Sequence, residues 1–139
     1  MSNVQAADTP VTLITGGSSG IGAATARRLL AAGHRVAVTG RRRDRLDRLV
    51  TDLGGEKDLL PIVADAADYD AVRAAVDATV EEFDRLDHVV ASAGFATHAT
   101  LADGDPERLR EMVLTNVLGP AFVVKAALPA LRESRGRVV

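Results

Sequence analysis

Val11-Thr-Leu-Ile-Thr15, followed at once by Gly16-Gly17-Ser18-Ser19-Gly20-Ile21-Gly22, is the stretch from which the rest of the chain can be read. A short β-branched run bounded by glycine reads as a buried strand. Helix formers then run from Ile21 to Ala32, and Gly33 supplies a helix-ending signal. The turn between them is Gly-x-x-x-Gly-x-Gly. One glycine allows a tight turn, one lets backbone approach a bound group closely, and one lets the helix pack against the strand. A helix N-terminus that opens on such a turn offers free N–H groups and a partial positive charge, which suits phosphate. Ser18 and Ser19 add hydroxyl donors. A triphosphate-cradling loop is the nearest rival. Gly17 and Gly22 bracket four residues, but Ala23-Ala24 follow where Lys and Ser/Thr are required.

Working outward, the pattern alternates. Arg35–Thr39 reads as a second strand and Asp44–Leu53 as a helix with Leu46, Leu49, Val50 and Leu53 on one face. Leu59–Val63 is a third strand, placed near a sheet edge because Pro61 has no N–H to donate. Asp68–Phe83 is a helix whose core stripe is Val72, Ala75, Val76, Thr79, Val80 and Phe83. Asp87–Ala91 is a fourth strand. Pro106 opens a long helix to about Arg132, which Pro120 and Pro129 should bend or interrupt, and Gly136–Val139 begins a fifth strand. Strands that alternate with helices and are apolar throughout imply an α/β fold, a doubly wound parallel sheet covered on both faces. The expectation is one Rossmann-type domain over residues 9–139, incomplete at about the fifth strand, behind a disordered leader at 1–8.

Composition narrows the function classes. The 139 residues suit one domain, and 47% hydrophobic with 26% charged is ordinary for a globular protein. A net charge of −2 offers no basic field to nucleic acid or an anionic membrane, and 3% aromatics offers few stacking platforms. No apolar run is expected to approach the roughly 20 residues of a bilayer span. Cysteine is absent, which removes disulfides and thiolate metal sites and fits a cytoplasmic location. His34, His88 and His98 show no metal-ligand spacing; His34 and His88 start strands and are expected at the surface.

Nucleotide folds that bind NAD place an acid at the end of the second strand, on the adenosine ribose. Here that place holds Thr39-Gly40, followed by Arg41-Arg42-Arg43. No carboxylate repels a 2′-phosphate, and Arg41 and Arg42 are positioned to hold one. One or two charged hydrogen bonds of about 1.5–3 kcal/mol favour NADP over NAD by tens to hundreds of times. Arg43 and Arg45 read as solvated charges at a helix start.

These features resemble the short-chain dehydrogenase/reductase family, whose glycine motif has this Thr-Gly-x-x-x-Gly-Ile-Gly form. The resemblance covers nearly the whole chain. It assigns Gly16, Ser18, Ser19, Gly20, Ile21 and Gly22 to cofactor binding. It implies that Asp65, with the Ala66 N–H, binds the adenine. Ala93-Gly94 would lie against the cofactor; Ala91-Ser92 stand where the family usually has two asparagines, and Ser92 is expected to replace part of their bonding. Asn116 would kink the long helix and hold a water leading to the catalytic lysine, and its apolar neighbours make burial costly without partners.

The family's hydride transfer also uses a Ser after the fifth strand and a Tyr-x-x-x-Lys. The one tyrosine, Tyr69, has Arg73 four residues on, and Ser134 precedes the fifth strand. The resemblance therefore implies a cofactor-binding half of an NADP-dependent oxidoreductase, acting in the full-length parent on a small carbonyl or secondary alcohol, with the parent a homo-oligomer. The fragment alone is expected to be inactive, with apolar surface and a sheet edge exposed. The alternative is a dinucleotide-binding or sensor module without turnover. A methyltransferase shares the alternation, but Gly40-Arg41 lacks the acid it would place after the second strand.

Overall fold

Alternate residues of the first strand serve two different cores. In β1 (Val11–Thr15), Val11 and Leu13 pack on one side of the sheet and Ile14 on the other, and all five residues are buried. A strand covered on both faces needs apolar side chains at every position, which is why the run has no polar alternation beyond its threonines. This computed structural model describes residues 9–55 and 57–139; the leader at 1–8 lies outside the described residues.

The order along the chain is β1, α1 (Gly20–Ala31), β2 (Arg35–Gly40), α2 (Arg43–Asp52), β3 (Leu59–Val63), α3 (Tyr69–Phe83), β4 (His88–Ala91), α4 (Pro106–Val113), a π-helical turn (Leu114–Leu118), α5 (Gly119–Ser134) and β5 (Arg137–Val138). The strands form one parallel sheet in the order β3-β2-β1-β4-β5. α1 and α2 cover one face through Ala26, Leu46 and Leu49. α3 and α5 cover the other through Val72, Val76, Phe83, Val123, Ala127 and Leu131. The expected stripes of α2 and α3 face these cores, and the buried Thr79 hydroxyl is satisfied by the Ala75 carbonyl at 2.7 Å. Pro61 lies in the outermost strand, where a missing N–H costs no ladder bond on the open side.

Three expectations need correction. The long helix is interrupted just ahead of Pro120 but not at Pro129. It changes to π geometry at Leu114–Leu118, where the Gly119 N–H reaches back five residues to the Leu114 carbonyl, and it runs on through Pro129 to Ser134. Pro120 cannot donate to the carbonyl four residues back, so the ladder shifts register just ahead of it. Pro129 lies on the exposed side, where water can serve the bereaved carbonyl. Second, Pro106–Ser134 is long and apolar enough to cross a membrane by length and composition, with mean hydropathy 1.5 over its best window. Charged residues scattered along the helix, Lys125 and Arg132 among them, break its apolar sequence into short pieces. Within this fold Val123, Ala127 and Leu131 of the same helix are core residues.

Third, His34 and His88 are not fully exposed at the surface. They are half-buried at the amino-terminal ends of the strands, with ring centroids 5.8 Å apart. His34 Nδ1 lies 3.3 Å from the Thr12 hydroxyl. Burial, with the neighbouring His88, lowers the His34 pKa below its ordinary 6.5. Beside them Asp87 accepts the Val11 N–H at 2.8 Å and takes both arms of Arg85, at 2.9 and 2.6 Å. Burial acts to raise the Asp87 pKa, but these hydrogen bonds outweigh it and hold the carboxyl below its ordinary value. Ser134, too early for a catalytic role, ties α5 to this end by donating to the Leu86 carbonyl at 2.7 Å.

Candidate functional site: a crevice at the carboxyl ends of the strands

Strand order reverses at β1, since its neighbours are β2 on one side and β4 on the other. The connections leaving β1 and β4 therefore go to opposite faces and leave a crevice between them, the usual ligand position in open α/β sheets. Here it is a cleft of about 890 Å³ lined by the segments that follow β1, β2, β3 and β4. That is within the range of ligand-sized cavities.

The glycine turn forms its floor. Gly16 has φ +66°, and a Cβ there would lie 2.6 Å from the Ala93 Cα. Two segments, one after β1 and one after β4, therefore meet backbone to backbone. Gly20 also has a positive φ, 54°, where it opens α1. Gly22 does not line the cleft; a Cβ on it would meet the Gly16 carbonyl at 2.3 Å, so its part is to let α1 close against the turn.

α1 begins without a side-chain cap. Ser19 occupies the N-cap but makes no capping bond, and the first turn carries no acid. α3 and α4 differ, because Asp68 and Asp105 cap them by accepting from the Ala71 and Glu107 N–H groups. An uncapped helix start facing a cleft leaves amides and the positive end of the helix dipole for a ligand anion. Ile21 stands there 81% exposed, an apolar side chain with no protein neighbour to cover it.

At the end of β2, Gly40, Arg41 and Arg42 line the cleft. Arg45, read from the sequence as a solvated charge, is exposed and lines the cleft too, from the first turn of α2. Arg43 points elsewhere, to an exposed pair with Asp47 at 3.2 Å. After β3, Asp65 and Ala66 reach the cleft. One Asp65 carboxylate oxygen accepts the Ala67 N–H at 2.9 Å and fixes the turn, leaving the other available.

Ser92, Ala93 and Gly94 form the wall after β4, joined by Phe95. Asn116 is exposed rather than buried and does not line the cleft. Its side-chain amide makes a paired contact with one residue: Oδ1 accepts the Phe95 N–H at 3.0 Å, and Nδ2 donates to the Phe95 carbonyl at 2.8 Å. The π-turn thus braces the wall through Asn116. Thr39, Gly40, Arg45, Ala64 and Phe95 complete the lining beyond the assigned residues. Thr39 and Gly40 had a readable signal, their place at the end of the second strand. Tyr69 does not line the cleft and packs edge-on against Phe122 at 5.6 Å.

Comparison with known proteins adds the family. A sequence model described as short chain dehydrogenase matches residues 10–139. A putative ketoacyl reductase of granaticin polyketide synthase from Streptomyces violaceoruber is 41% identical over 144 residues, covering 96% of this chain and 55% of that protein. The alcohol dehydrogenase of Thermococcus sibiricus, solved with 5-hydroxy-NADP, superposes with TM-score 0.87 at 32% identity, covering 94% of this chain and 57% of that one. A 3-ketoacyl-(acyl-carrier-protein) reductase of Brucella melitensis, solved with NADH, gives 0.82 at 27%, covering 89% and 51%. The chain spans about half the length of the curated relatives it matches, between 38% and 56%.

Proposed function

The chain belongs to the short-chain dehydrogenase family, and from that premise we propose that its crevice binds NADP in preference to NAD, as the cofactor half of an enzyme that moves hydride between NADP(H) and a small carbonyl or secondary alcohol. The observation that carries the cofactor choice is the end of β2. Gly40 stands where an acid would read the NAD ribose, and Arg41, Arg42 and Arg45 line the same cleft. The cradle fits a dinucleotide. Its Gly16–Ala93 approach leaves no room for a Cβ, and its leading helix is uncapped.

When bound, the nicotinamide group supplies or accepts the hydride. The chain's own residues bind and orient. The α1 amides with Ser18 and Ser19 hold the pyrophosphate. Arg41 and Arg42, with Arg45 beside them, hold the 2′-phosphate by charge-assisted hydrogen bonds. The free Asp65 oxygen and the Ala66 N–H read the adenine edge. Ser92–Gly94 form the wall, and Asn116 keeps the backbone of that wall in place through Phe95.

Titration of the chain with each dinucleotide tests the reading. NADP⁺ is expected to bind at least about tenfold tighter, a 1.4 kcal/mol difference; tighter binding of NAD⁺ would overturn it. No Tyr-x-x-x-Lys lies within these residues, so the 139-residue chain is expected to bind without turnover. NADPH oxidation by the purified chain would sink that part. We also propose that the full-length protein is a cytosolic homo-oligomer that engages neither membrane nor nucleic acid. The exposed Val113, Val117 and Leu128 on α4, the π-turn and α5 support an association surface.

A further inference from the structure

Gly40 raises a question that the arginines do not answer. It lies in strand backbone with no left-handed φ, so no turn requires glycine there. Space does. A Cβ built on Gly40 would stand 2.7 Å from the Ser18 hydroxyl oxygen, 3.0 Å from the Ser18 Cβ and 3.6 Å from the Leu46 Cδ2. The slot a side chain would enter already holds Ser18.

Ser18 is not free to retreat. The residue before it is tied to β2, because the Gly17 N–H donates to the Thr39 carbonyl at 2.9 Å. Gly17 also presses on β2, where a Cβ of its own would meet the Val38 Cβ at 2.7 Å. Leu46, the third wall, is fully buried. The Ser18 hydroxyl can rotate away; its Cβ, at 3.0 Å, must still give by a few tenths of an ångström, a shift that the tie between the glycine turn and β2 opposes.

Resting on the NADP reading above, we infer that Ser18 and Gly40 form one specificity element, in which Ser18 occupies the space that an acid at position 40 would need. The arginines attract the extra phosphate; the serine bars the residue that would favour its absence. Ser18 is thus a specificity determinant by position as well as a pyrophosphate contact. Adding an acid's grip on the NAD ribose therefore requires both positions to change.

The test is a set of variants of the 139-residue chain, measured for melting temperature and for NADP⁺ and NAD⁺ affinity by calorimetry. G40A is expected to lower the melting temperature, and S18G/G40A to recover most of that loss relative to S18G alone. NAD⁺ affinity is expected to rise in the order G40D, S18A/G40D, S18G/G40D, because S18A removes only the hydroxyl contact and S18G removes the Cβ as well. The last should bind NAD⁺ about tenfold tighter than G40D, the scale of one charged hydrogen bond placed correctly. If S18G restores nothing to G40A, or if G40D alone binds NAD⁺ as tightly as S18G/G40D, the inference is overturned. Should G40D fail to fold, recovery of folding in S18G/G40D supports it, and the G40A pair decides the matter otherwise. A wild-type chain that prefers NAD⁺ overturns the proposed function instead, while the G40A pair still judges the packing.

Discussion

The two ends of the sheet are built on opposite principles. At the amino-terminal end, polar groups are paired inside the protein, the buried Nδ1 of His88 excepted: Asp87 takes the Val11 N–H and both arms of Arg85, Ser134 closes on Leu86, and Thr12 meets His34. At the carboxyl end the reverse holds. α1 starts uncapped, Ile21 stands bare, and three arginines line a cleft. The sheet is fastened at one end and left receptive at the other. A buried polar network stabilises only when its members are paired, whereas a binding site needs donors not already engaged by the protein. The same strands therefore serve stability and recognition without competition.

Breaking the fastened end should have the largest effect. Asp87→Ala strands the Val11 N–H and removes a carboxylate whose side chain is only 10% exposed, and the unsatisfied amide together with the lost charge-assisted bonds costs about 3 kcal/mol. Urea denaturation should show this loss with the NADP⁺/NAD⁺ preference unchanged; a shifted preference would mean that the two ends are not separable. At the receptive end, Arg41→Ala should weaken NADP⁺ by about 1.5–3 kcal/mol, ten- to a hundredfold, and leave NAD⁺ and the melting temperature nearly unmoved. Calorimetry checks both.

A smaller effect sharpens the contrast within one helix. Arg45→Ala should reduce NADP⁺ affinity by up to about tenfold, while Arg43→Ala should change neither affinity nor stability by more than about 0.5 kcal/mol, since its exposed i,i+4 pair contributes little. Equal losses in the two variants would return Arg45 to the solvated face.

The mildest expected effect is the response to acid. His34 titrates below 6.5 in the folded chain, so folding binds fewer protons than unfolding; its contribution is complete above 6.5 and is lost as pH falls from there toward the lowered value. Asp87 acts in a more acid window, its contribution being present above 3.8 and lost as pH falls through its depressed value. Denaturation of wild type and His34→Gln between pH 7 and 5 separates the two, and the variant should show a flatter profile. Identical slopes would remove His34 from the acid response.

The strands, the helix stripes and the glycine turn were legible because each rests on local chemistry. β-branched runs, 3.6-residue spacing and glycine at positive φ need no distant partner to be recognised. What escaped depends on contacts between segments. Arg43 and Arg45 belong to one charge run, and only the phase that Leu46 and Leu49 impose on α2 sends one to Asp47 and the other to the cleft. Asn116 looked like a buried polar residue among apolar neighbours. Its partner, Phe95, lies 21 residues away, and the neighbouring Val113 and Val117 are themselves exposed. Prolines advertise a break in the long helix, but the position of the break follows from which carbonyl loses its donor. The histidines looked peripheral because strand starts often are, and their mutual packing required the sheet order.

The close approach of Gly16 to Ala93 has a further consequence, for the order of events during synthesis. The Thr15 hydroxyl and the Ala93 N–H that join there are 78 residues apart in the chain. The glycine turn is made early, yet its opposite wall emerges only after three intervening strands have been translated. Parallel pairing across such a distance is a slow, late step in folding. A nascent chain halted short of Ala93 would carry the whole phosphate motif and still lack a groove, so dinucleotide affinity should arise abruptly with chain length, making ligand capture a readout of completed assembly on the ribosome.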